Sequence, residues 1–338
     1  MNNSGYFCLR GSEFLSKYKL IPFLSEQKDM QKYEQSSSGE KKLACIINPS
    51  AANKKWKRRK LLRRYIQKNL PGQIIDSHED KSATIQAAKQ LCEDHDIIVA
   101  AGGDGTIADV IQGIIQCQNR KNVVLGIIPL GSGNAFRQSL GIPKNVKKAI
   151  QCIKGGKTQE IDLLEIEGTW AAFGSIGASA QITHEKLKKD IPGFWGHIYA
   201  AKIMPKLPMK QQEVELIDGV DDSGKRFEQM KVNLKALDCV VAKSKHFGYG
   251  WRAAPKAKLD DGYVDVSFFE MTGLKYSLLF PLIYLGLLQR TQKHFKAKKI
   301  IFKGKNLTMQ YHGELWGIKD QIEVTVLPQA LRIIVPGK

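Results

Sequence analysis

Residues 97–109 read IIVAAGGDGTIAD, and this stretch decides the fold of the chain. Its first half is a run of small and β-branched apolar residues, which is typical of a buried strand in a parallel sheet. Three glycines around one carboxylate then interrupt the run, and Thr106 stands where it can cap a following helix. The stretch therefore predicts a strand, a tight loop and a helix in immediate succession.

The loop between this strand and this helix has the composition of a phosphate-binding site. Gly102, Gly103 and Gly105 leave the backbone free to adopt a positive φ or to lie close against a ligand. Free N–H groups at the start of a helix favour an anion such as phosphate. Asp104 would repel a phosphate unless a divalent cation or a substrate hydroxyl lay between them. The loop thus predicts a metal-assisted nucleotide site, with an ordinary glycine turn as the alternative.

The flanking segments predict a parallel sheet around this loop. Residues 42–47 form a first apolar strand that ends at Asn48, and residues 123–129 form the strand after the central helix. Strands and helices alternate here with short connections, which is typical of an open α/β domain with a mostly parallel sheet. Ligands bind such sheets at the carboxyl ends of the strands. We therefore expect Asn48 and the loop after residue 129 to lie beside residues 102–106.

A second glycine-rich loop follows one strand later. Residues 129–143 read PLGSGNAFRQSLGIP. The side chains of Ser132 and Asn134 can form the hydrogen bonds that position a phosphate or a ribose. Such a loop is a weak signal alone, but its position one strand after Gly-Gly-Asp-Gly-Thr makes the pair of loops a strong indication of a nucleotide-binding domain.

The character of the sequence changes after about residue 160. Short apolar segments with polar turns follow, and consecutive strands without intervening helices are typical of a mainly antiparallel β-sandwich. We predict a variable leader and linker over 1–40, a nucleotide-binding α/β domain over 41–160 and a β-rich domain over 161–338. A return of the final strands to the first domain is left open. The last expected strands are short and cover 298–302, 307–311, 321–327 and 331–335.

Composition narrows the class of partner. The formal net charge of +19 and the pI near 9.5 favour anionic membranes, nucleotides or nucleic acid. Residues 54–64 hold eight basic residues and no acid, and they form either a solvated helix face or a patch for phosphates or anionic lipid headgroups. No second motif supports nucleic-acid binding, so none is expected. The 6 cysteines are scattered without a CxxC pair, which favours reduced thiols in the cytoplasm.

Together the motifs resemble one family in order and spacing. Residues 46–50 (IINPS), 102–106 (GGDGT) and 129–143 are similar to the diacylglycerol kinase catalytic-domain family. That family includes diacylglycerol, sphingosine and ceramide kinases and soluble bacterial lipid kinases. In the second half, residues 254–266 (APKAKLDDGYVDV) look like its metal-associated turn, and residues 312–314 (HGE) look like its Asp-Gly-Glu motif.

This resemblance covers roughly residues 42–335 and implies a two-domain lipid kinase. Such an enzyme transfers the γ-phosphoryl group of ATP to a lipid hydroxyl in the cleft between an α/β domain and a β-rich lipid-substrate domain. Glu314 would be the general base that takes the hydroxyl proton, and Asp104 would organise Mg²⁺ and substrate. The residues implied to bind the nucleotide are Asn48, Gly102, Gly103, Asp104, Gly105, Thr106, Ser132 and Asn134.

The resemblance also implies a structural Mg²⁺ in the second domain. Asp261 would hold it together with the backbone carbonyls of Lys258 and Tyr263. A polar β-turn without a metal is the alternative for Asp260, Asp261 and Gly262, because such residues are common in turns.

Two positions depart from the family pattern, and one segment bears on the lipid. His312 stands where the family usually has Asp, so a neutral imidazole replaces a carboxylate with a metal-binding or orienting role. With Ala135, the second glycine-rich loop resembles that of sphingosine and ceramide kinases rather than that of diacylglycerol kinases. Residues 174–180 (GSIGASA), however, lack the acids that pair with the lipid amine in sphingosine kinases. We therefore favour a neutral, diacylglycerol-like acceptor.

Other functions stay open. They are a sphingoid-base or ceramide kinase, an NAD kinase, which shares Gly-Gly-Asp-Gly-Thr, and a catalytically weak membrane-binding scaffold. We expect a cytoplasmic protein that associates peripherally with a membrane through basic residues and residues 278–288, because no apolar segment is long and continuous enough to span a bilayer. A buried helix is the alternative for residues 278–288. The expected partners are the lipid substrate and anionic phospholipid, with a homodimer left open.

Overall fold

The computed structural model describes residues 41–51, 60–131, 133–189, 191, 193–247, 250–288 and 292–337. All elements named below belong to the compact unit Lys42–Lys338. The predicted leader over 1–40 and residues 54–59 of the basic segment lie outside the described residues.

Strands and helices alternate between residues 43 and 155. The strands are β1 (Leu43–Ile47), β2 (Gln73–Asp76), β3 (Ile97–Gly102) and β4 (Val124–Pro129). The helices are α1 (Lys60–Asn69), α2 (Lys81–Asp94), α3 (Asp104–Ile115), α4 (Ala135–Ser139) and α5 (Val146–Gly155). The strands lie side by side in the order β2, β1, β3, β4, and every neighbouring pair is parallel.

The unbroken apolar run of β3 reflects helices on both faces of this sheet. Ile98 and Ala100 pack in one cluster with residues of α2 and α3. Val99 and Ala101 pack in another cluster with residues of α1 and α5. Because both faces are covered, no position along the strand favours a polar residue.

The remainder of the chain is mainly antiparallel. Its helices are α6 (Ala178–Lys188), α7 (Gly193–Ile203) and α8 (Gly273–Tyr284), with a short 3₁₀ helix at Met204–Lys206. The predicted succession of an α/β part with a parallel sheet and a mainly antiparallel β part is confirmed. Its strands are β5 (Lys157–Ile166), β6 (Thr169–Ala171), β7 (Phe173–Gly177), β8 (Lys210–Val220), β9 (Arg226–Ala236), β10 (Asp238–Ala242), β11 (Val264–Phe269), β12 (Lys293–Tyr311) and β13 (Glu314–Val335).

The last strand joins both parts in one sheet. β13 is antiparallel to β12 and β5, and near its end it runs parallel to β4, where Arg332 lies opposite Val124. β12 and β13 are longer than the four short strands expected for this region. A register shift between Lys303 and Leu307 lets pairing continue through residues whose polarity suggested a turn.

Two of the cysteines are paired. Cys92 of α2 and Cys117, which follows α3, form a disulfide, so the expectation of reduced thiols is wrong for this pair. Cys45, Cys152 and Cys239 are free.

Helix α8 presents a row of leucines to solvent. Tyr276 and Ile283 are buried and attach the helix to the core, whereas five leucines along and just after it are between 41% and 73% exposed. Among the described residues, no helix is long and apolar enough to cross a bilayer. We call the exposed set the leucine face, and it consists of Leu274, Leu278, Leu282, Leu285 and Leu287.

Candidate active site

The loops after β3 and β4 lie against each other at the carboxyl edge of the parallel strands. A Cβ atom on Gly131 would come within 2.5 Å of the Cα atom of Gly103. A Cβ atom on Gly102 would come within 2.5 Å of the Thr106 side chain. Close approach therefore requires these glycines. Backbone conformation does not require glycine at either position, because neither Gly102 nor Gly103 has a positive φ.

Helix α3 begins inside the glycine loop. Gly103 is its N-cap, and no side chain caps it. Thr106, the expected cap, lies in the first turn instead, where its Oγ1 accepts a hydrogen bond of 2.8 Å from Nδ2 of Asn48. The helix start therefore keeps N–H groups without a side-chain acceptor, and such groups favour phosphate. The same hydrogen bond links the end of β1 with the first turn of α3.

The carboxylate of Asp104 is anchored to the loop after β4. Its two oxygens accept hydrogen bonds from the backbone N–H groups of Ala135 at 3.0 Å and Phe136 at 3.2 Å. Burial raises the pKa of Asp104, against the effect of these two amides and of Arg137. Each oxygen keeps another lone pair for a cation or a hydroxyl. This donor set fits a Mg²⁺ shared with nucleotide phosphates, which needs only one or two protein carboxylates.

Glu314 reaches the glycine loop from the other end of the chain. It is the first residue of β13 and follows a two-residue turn, His312 and Gly313, in which both residues have a positive φ. Its Oε1 lies 3.3 Å from the position that a Cβ atom on Gly105 would occupy. Its Oε2 forms an ion pair with Lys81 at the start of α2. The pairing of β12 with β13 thus brings a carboxylate to the glycine loop.

Asp109 completes a charged group with Glu314 and Lys81. Burial and then the negative charge of Glu314 raise the pKa of Asp109 to about 7, whereas Lys81 lowers it. Neither Asp109 nor Lys81 was among the site residues predicted from the sequence. The four-residue spacing from Gly105 to Asp109 could have indicated Asp109, because residues four apart share a helix face. Nothing in the sequence connects Lys81 with Glu314.

One cleft brings much of the predicted site together. Asn48, Gly105, Thr106 and Glu314 line it, together with Ser77, His78, Lys81 and Asp109, which were not predicted. Asp104 lies at the adjoining loop, bonded to α4. Ser132 lies outside the described residues.

Asn134 shapes the second loop from within. It has a left-handed φ of 47° and is 1% exposed, and its Nδ2 donates a hydrogen bond of 2.6 Å to the carbonyl of Gly131. Its Oδ1 has no partner among the described residues, so this oxygen is the atom that remains for a ligand.

The predicted metal turn contains an ammonium group instead. Nζ of Lys243 lies 2.7 Å from Oδ1 of Asp261 and 2.6 Å from the carbonyl oxygen of Tyr263, which are two of the expected metal ligands. Its third contact, at 3.0 Å, is Oδ2 of Asp162. Lys258 contributes none of the three oxygens. Within the described part of the chain, no cluster of three or more His, Cys, Asp or Glu side chains could hold a metal ion. The ligand set predicted for a structural Mg²⁺ therefore does not fit one.

His312 is buried and neutral, as its position in place of an acid implied. It is 7% exposed, and burial lowers its pKa to about 4. Its Nε2 accepts a hydrogen bond of 3.0 Å from the backbone N–H of Ala172, and its ring packs against Phe136 and Phe173. The imidazole ring of His312 thus packs among aromatic side chains at the position where the family pattern has a carboxylate.

The α/β part followed by an antiparallel β part agrees with the comparison with known proteins, which places the chain among kinases. A model of the diacylglycerol kinase catalytic domain matches residues 42–166. A model of the YegS C-terminal NAD kinase beta sandwich-like domain matches residues 214–335. The chain therefore contains a diacylglycerol kinase catalytic domain, which is a domain of kinases, followed by a YegS C-terminal-like domain.

Individual relatives match most of the chain. The diacylglycerol kinase of Staphylococcus saprophyticus is 28% identical over 84% of this chain and 95% of its own length. That of Staphylococcus aureus strain MRSA252 is 27% identical over 78% of this chain and 80% of its own. Among solved structures, a putative diacylglycerol kinase from Bacillus anthracis superposes with a TM-score of 0.68 at 18% identity, covering 89% of this chain and 97% of that one. The structural match supports the fold.

Proposed function

We propose that this protein transfers the γ-phosphoryl group of ATP to the hydroxyl group of a diacylglycerol-like lipid. The observation that carries the proposal is the position of the Glu314 carboxylate against Gly105, in a loop suited to phosphate. A hydroxyl that attacks a phosphoryl group needs a nearby acceptor for its proton, and a carboxylate serves in that role. Glu314 is therefore the general base in this proposal.

The other groups of the cleft bind and orient the nucleotide. The backbone N–H groups at the start of α3 bind its phosphates, with Asn48 and Thr106 beside them. Asp104 holds the Mg²⁺ that accompanies ATP, and its hydrogen bonds from Ala135 and Phe136 orient the carboxylate. When bound, this Mg²⁺ neutralises charge on the phosphoryl group. Lys81, which is 51% exposed, supplies a positive charge at the mouth of the cleft.

The carboxyl group that contacts residues 174–180 favours a neutral lipid acceptor. Asp238 contacts that stretch, because the backbone N–H and the hydroxyl of Ser179 both donate hydrogen bonds to it. Asp238 is completely buried, and burial raises its pKa to about 7. A carboxyl group enclosed in this way is not accessible to the cationic amine of a sphingoid base.

Peripheral association with an anionic membrane is part of the proposal. The leucine face is an exposed apolar surface of the kind that marks an interaction site. α7 and α8 both pack on the 3₁₀ helix Met204–Lys206, so Lys202, Lys206 and Lys275 belong to the same group of helices. An apolar face flanked by lysines binds anionic bilayers from the side.

The test is transfer of labelled γ-phosphate from Mg-ATP to diacylglycerol, monoacylglycerol, sphingosine, ceramide and NAD, with the lipids in mixed micelles. We expect labelled diacylglycerol, and a loss of at least about 100-fold in kcat for Glu314→Gln. Glu323→Gln is the matched control, because Glu323 lies on the same strand and is also paired with a lysine, Lys299.

Each other outcome contradicts a defined part of the proposal. Label in NAD alone would indicate an NAD kinase, and label in sphingosine or ceramide would indicate the other lipid branch. Vesicle binding without any transfer would indicate a scaffold. Full activity of Glu314→Gln would remove Glu314 as the base.

A further inference from the structure

We infer that the ammonium group of Lys243 is a built-in substitute for a structural divalent cation, so that the turn at residues 258–263 needs no metal. The inference concerns the stability of the fold and does not rest on the proposed kinase activity. It follows from the contacts of one buried side chain.

The contacts of Lys243 use its full hydrogen-bonding capacity. The residue is completely buried directly after β10. An ammonium group has three donors, and Lys243 directs one to each of three oxygens: Asp162 Oδ2, Asp261 Oδ1 and the carbonyl of Tyr263. Every N–H donor of this buried ammonium group therefore has an acceptor.

The carboxylates around Lys243 are also fully engaged. Asp162 accepts backbone hydrogen bonds from Gly262 at 2.8 Å and from Gln329 at 2.9 Å. The second oxygen of Asp261 lies 2.6 Å from Nζ of Lys296. Each of the two carboxylates is therefore paired with an ammonium group, and Lys296 is shared with a third carboxylate, Asp265, at 3.7 Å. A metal ion entering this space would also meet the positive charge of Lys243.

The strand pairing explains how a lysine arrives at this point. β10 lies between β7 and β11, with Ala242 opposite Asp265 of β11, so the next residue of the strand faces the turn that precedes β11. The backbone N–H of Lys243 donates a hydrogen bond of 2.8 Å to the carbonyl of Ala172. Since Asp162 lies on β5, the ammonium group connects three separate segments of the sheet, as a structural metal would.

The first experiment is thermal unfolding of the full chain without nucleotide, in EDTA and in MgCl₂. It is run in the Asp104→Asn background, so that binding of Mg²⁺ at the nucleotide site does not contribute. We expect the same Tm in both solutions. A Tm that falls in EDTA and recovers in MgCl₂ would overturn the inference, because it would reveal a metal-dependent fold.

The second experiment removes the ammonium group. In the same background, Lys243→Met leaves Asp162, Asp261 and the Tyr263 carbonyl as an uncompensated oxygen cage, so we expect a lower Tm that MnCl₂ partly restores, with Mn²⁺ binding detected by electron paramagnetic resonance. Lys256→Met is the matched control, because Lys256 forms an exposed ion pair with Asp222. An unchanged Tm for Lys243→Met would overturn the inference. If Lys243→Met does not fold, the comparison of Tm in EDTA and in MgCl₂ still tests the inference.

Discussion

The carboxylate of Glu314 lies 3.3 Å from the position that a Cβ atom on Gly105 would occupy. The two residues are far apart in the sequence, and a Cβ atom on Gly105 would press against the carboxylate unless that carboxylate shifted by a few tenths of an ångström. The contact determines where the general base of the proposed reaction stands relative to the phosphate-binding loop.

Substitution of Gly105 should therefore impair catalysis more than folding. We expect Gly105→Ala to displace the Glu314 carboxylate by tenths of an ångström and to lower kcat about tenfold, because small misplacements of reacting groups are costly. Gly155→Ala is the control, since a Cβ atom there meets nothing within 4 Å. Equal kcat values for the two variants would show that the contact has no catalytic consequence.

Asp109 should make the stability of the protein fall as the pH rises. Its pKa is about 7 in the folded state against 3.8 for the ordinary value, so the folded state binds the extra proton between these limits. The free energy of unfolding therefore decreases as the pH rises from about 4 to about 7. Thermal unfolding across this range should show Asp109→Asn gaining stability relative to wild type as the pH rises. Asp94→Asn, an exposed position at the end of α2, should show no such gain.

His312 should make the stability of the protein fall as the pH falls. Its pKa is about 4 in the folded state against 6.5 for the ordinary value, so its contribution to stability is present above about pH 6.5 and is lost as the pH falls towards 4. His312→Gln removes this titration, and the side-chain oxygen of Gln, which lies as far along the side chain as Nε2, can accept the hydrogen bond from Ala172. Chemical denaturation should give a smaller loss of stability in acid for the variant. Parallel pH profiles would contradict a buried neutral imidazole.

The leucine face should govern binding to lipid vesicles. Leu278 is 73% exposed, and Leu278→Ser should weaken sedimentation with phosphatidylglycerol vesicles about tenfold, as expected for the loss of one inserted leucine. Ile318→Ser is the control, because Ile318 is 47% exposed on β13, outside both the leucine face and the basic segment. Binding of the wild type should also weaken as salt is added. Equal binding of both variants would exclude the leucine face as the membrane contact.

Local patterns predicted much of the fold and part of the site. The apolar run and glycines of residues 97–109 became β3, its loop and α3, because a strand covered by helices on both faces needs apolar residues at every position. The lengths of β12 and β13 were not predictable in this way. Polar residues at 303–307 resemble a turn, and pairing with β13 on either side of them, at Lys303 and at Leu307, keeps them within one strand.

The sequence by itself determined the order of strands, loops and helices and the kinds of side chain available, because these depend on residues close together along the chain. The tertiary structure alone decided that Lys81 meets Glu314 and that Lys243 occupies the turn predicted for a metal. Strand pairing over long separations brings these charges together, and burial then makes each charge dependent on its partner. Periodicity and spacing do not encode such contacts.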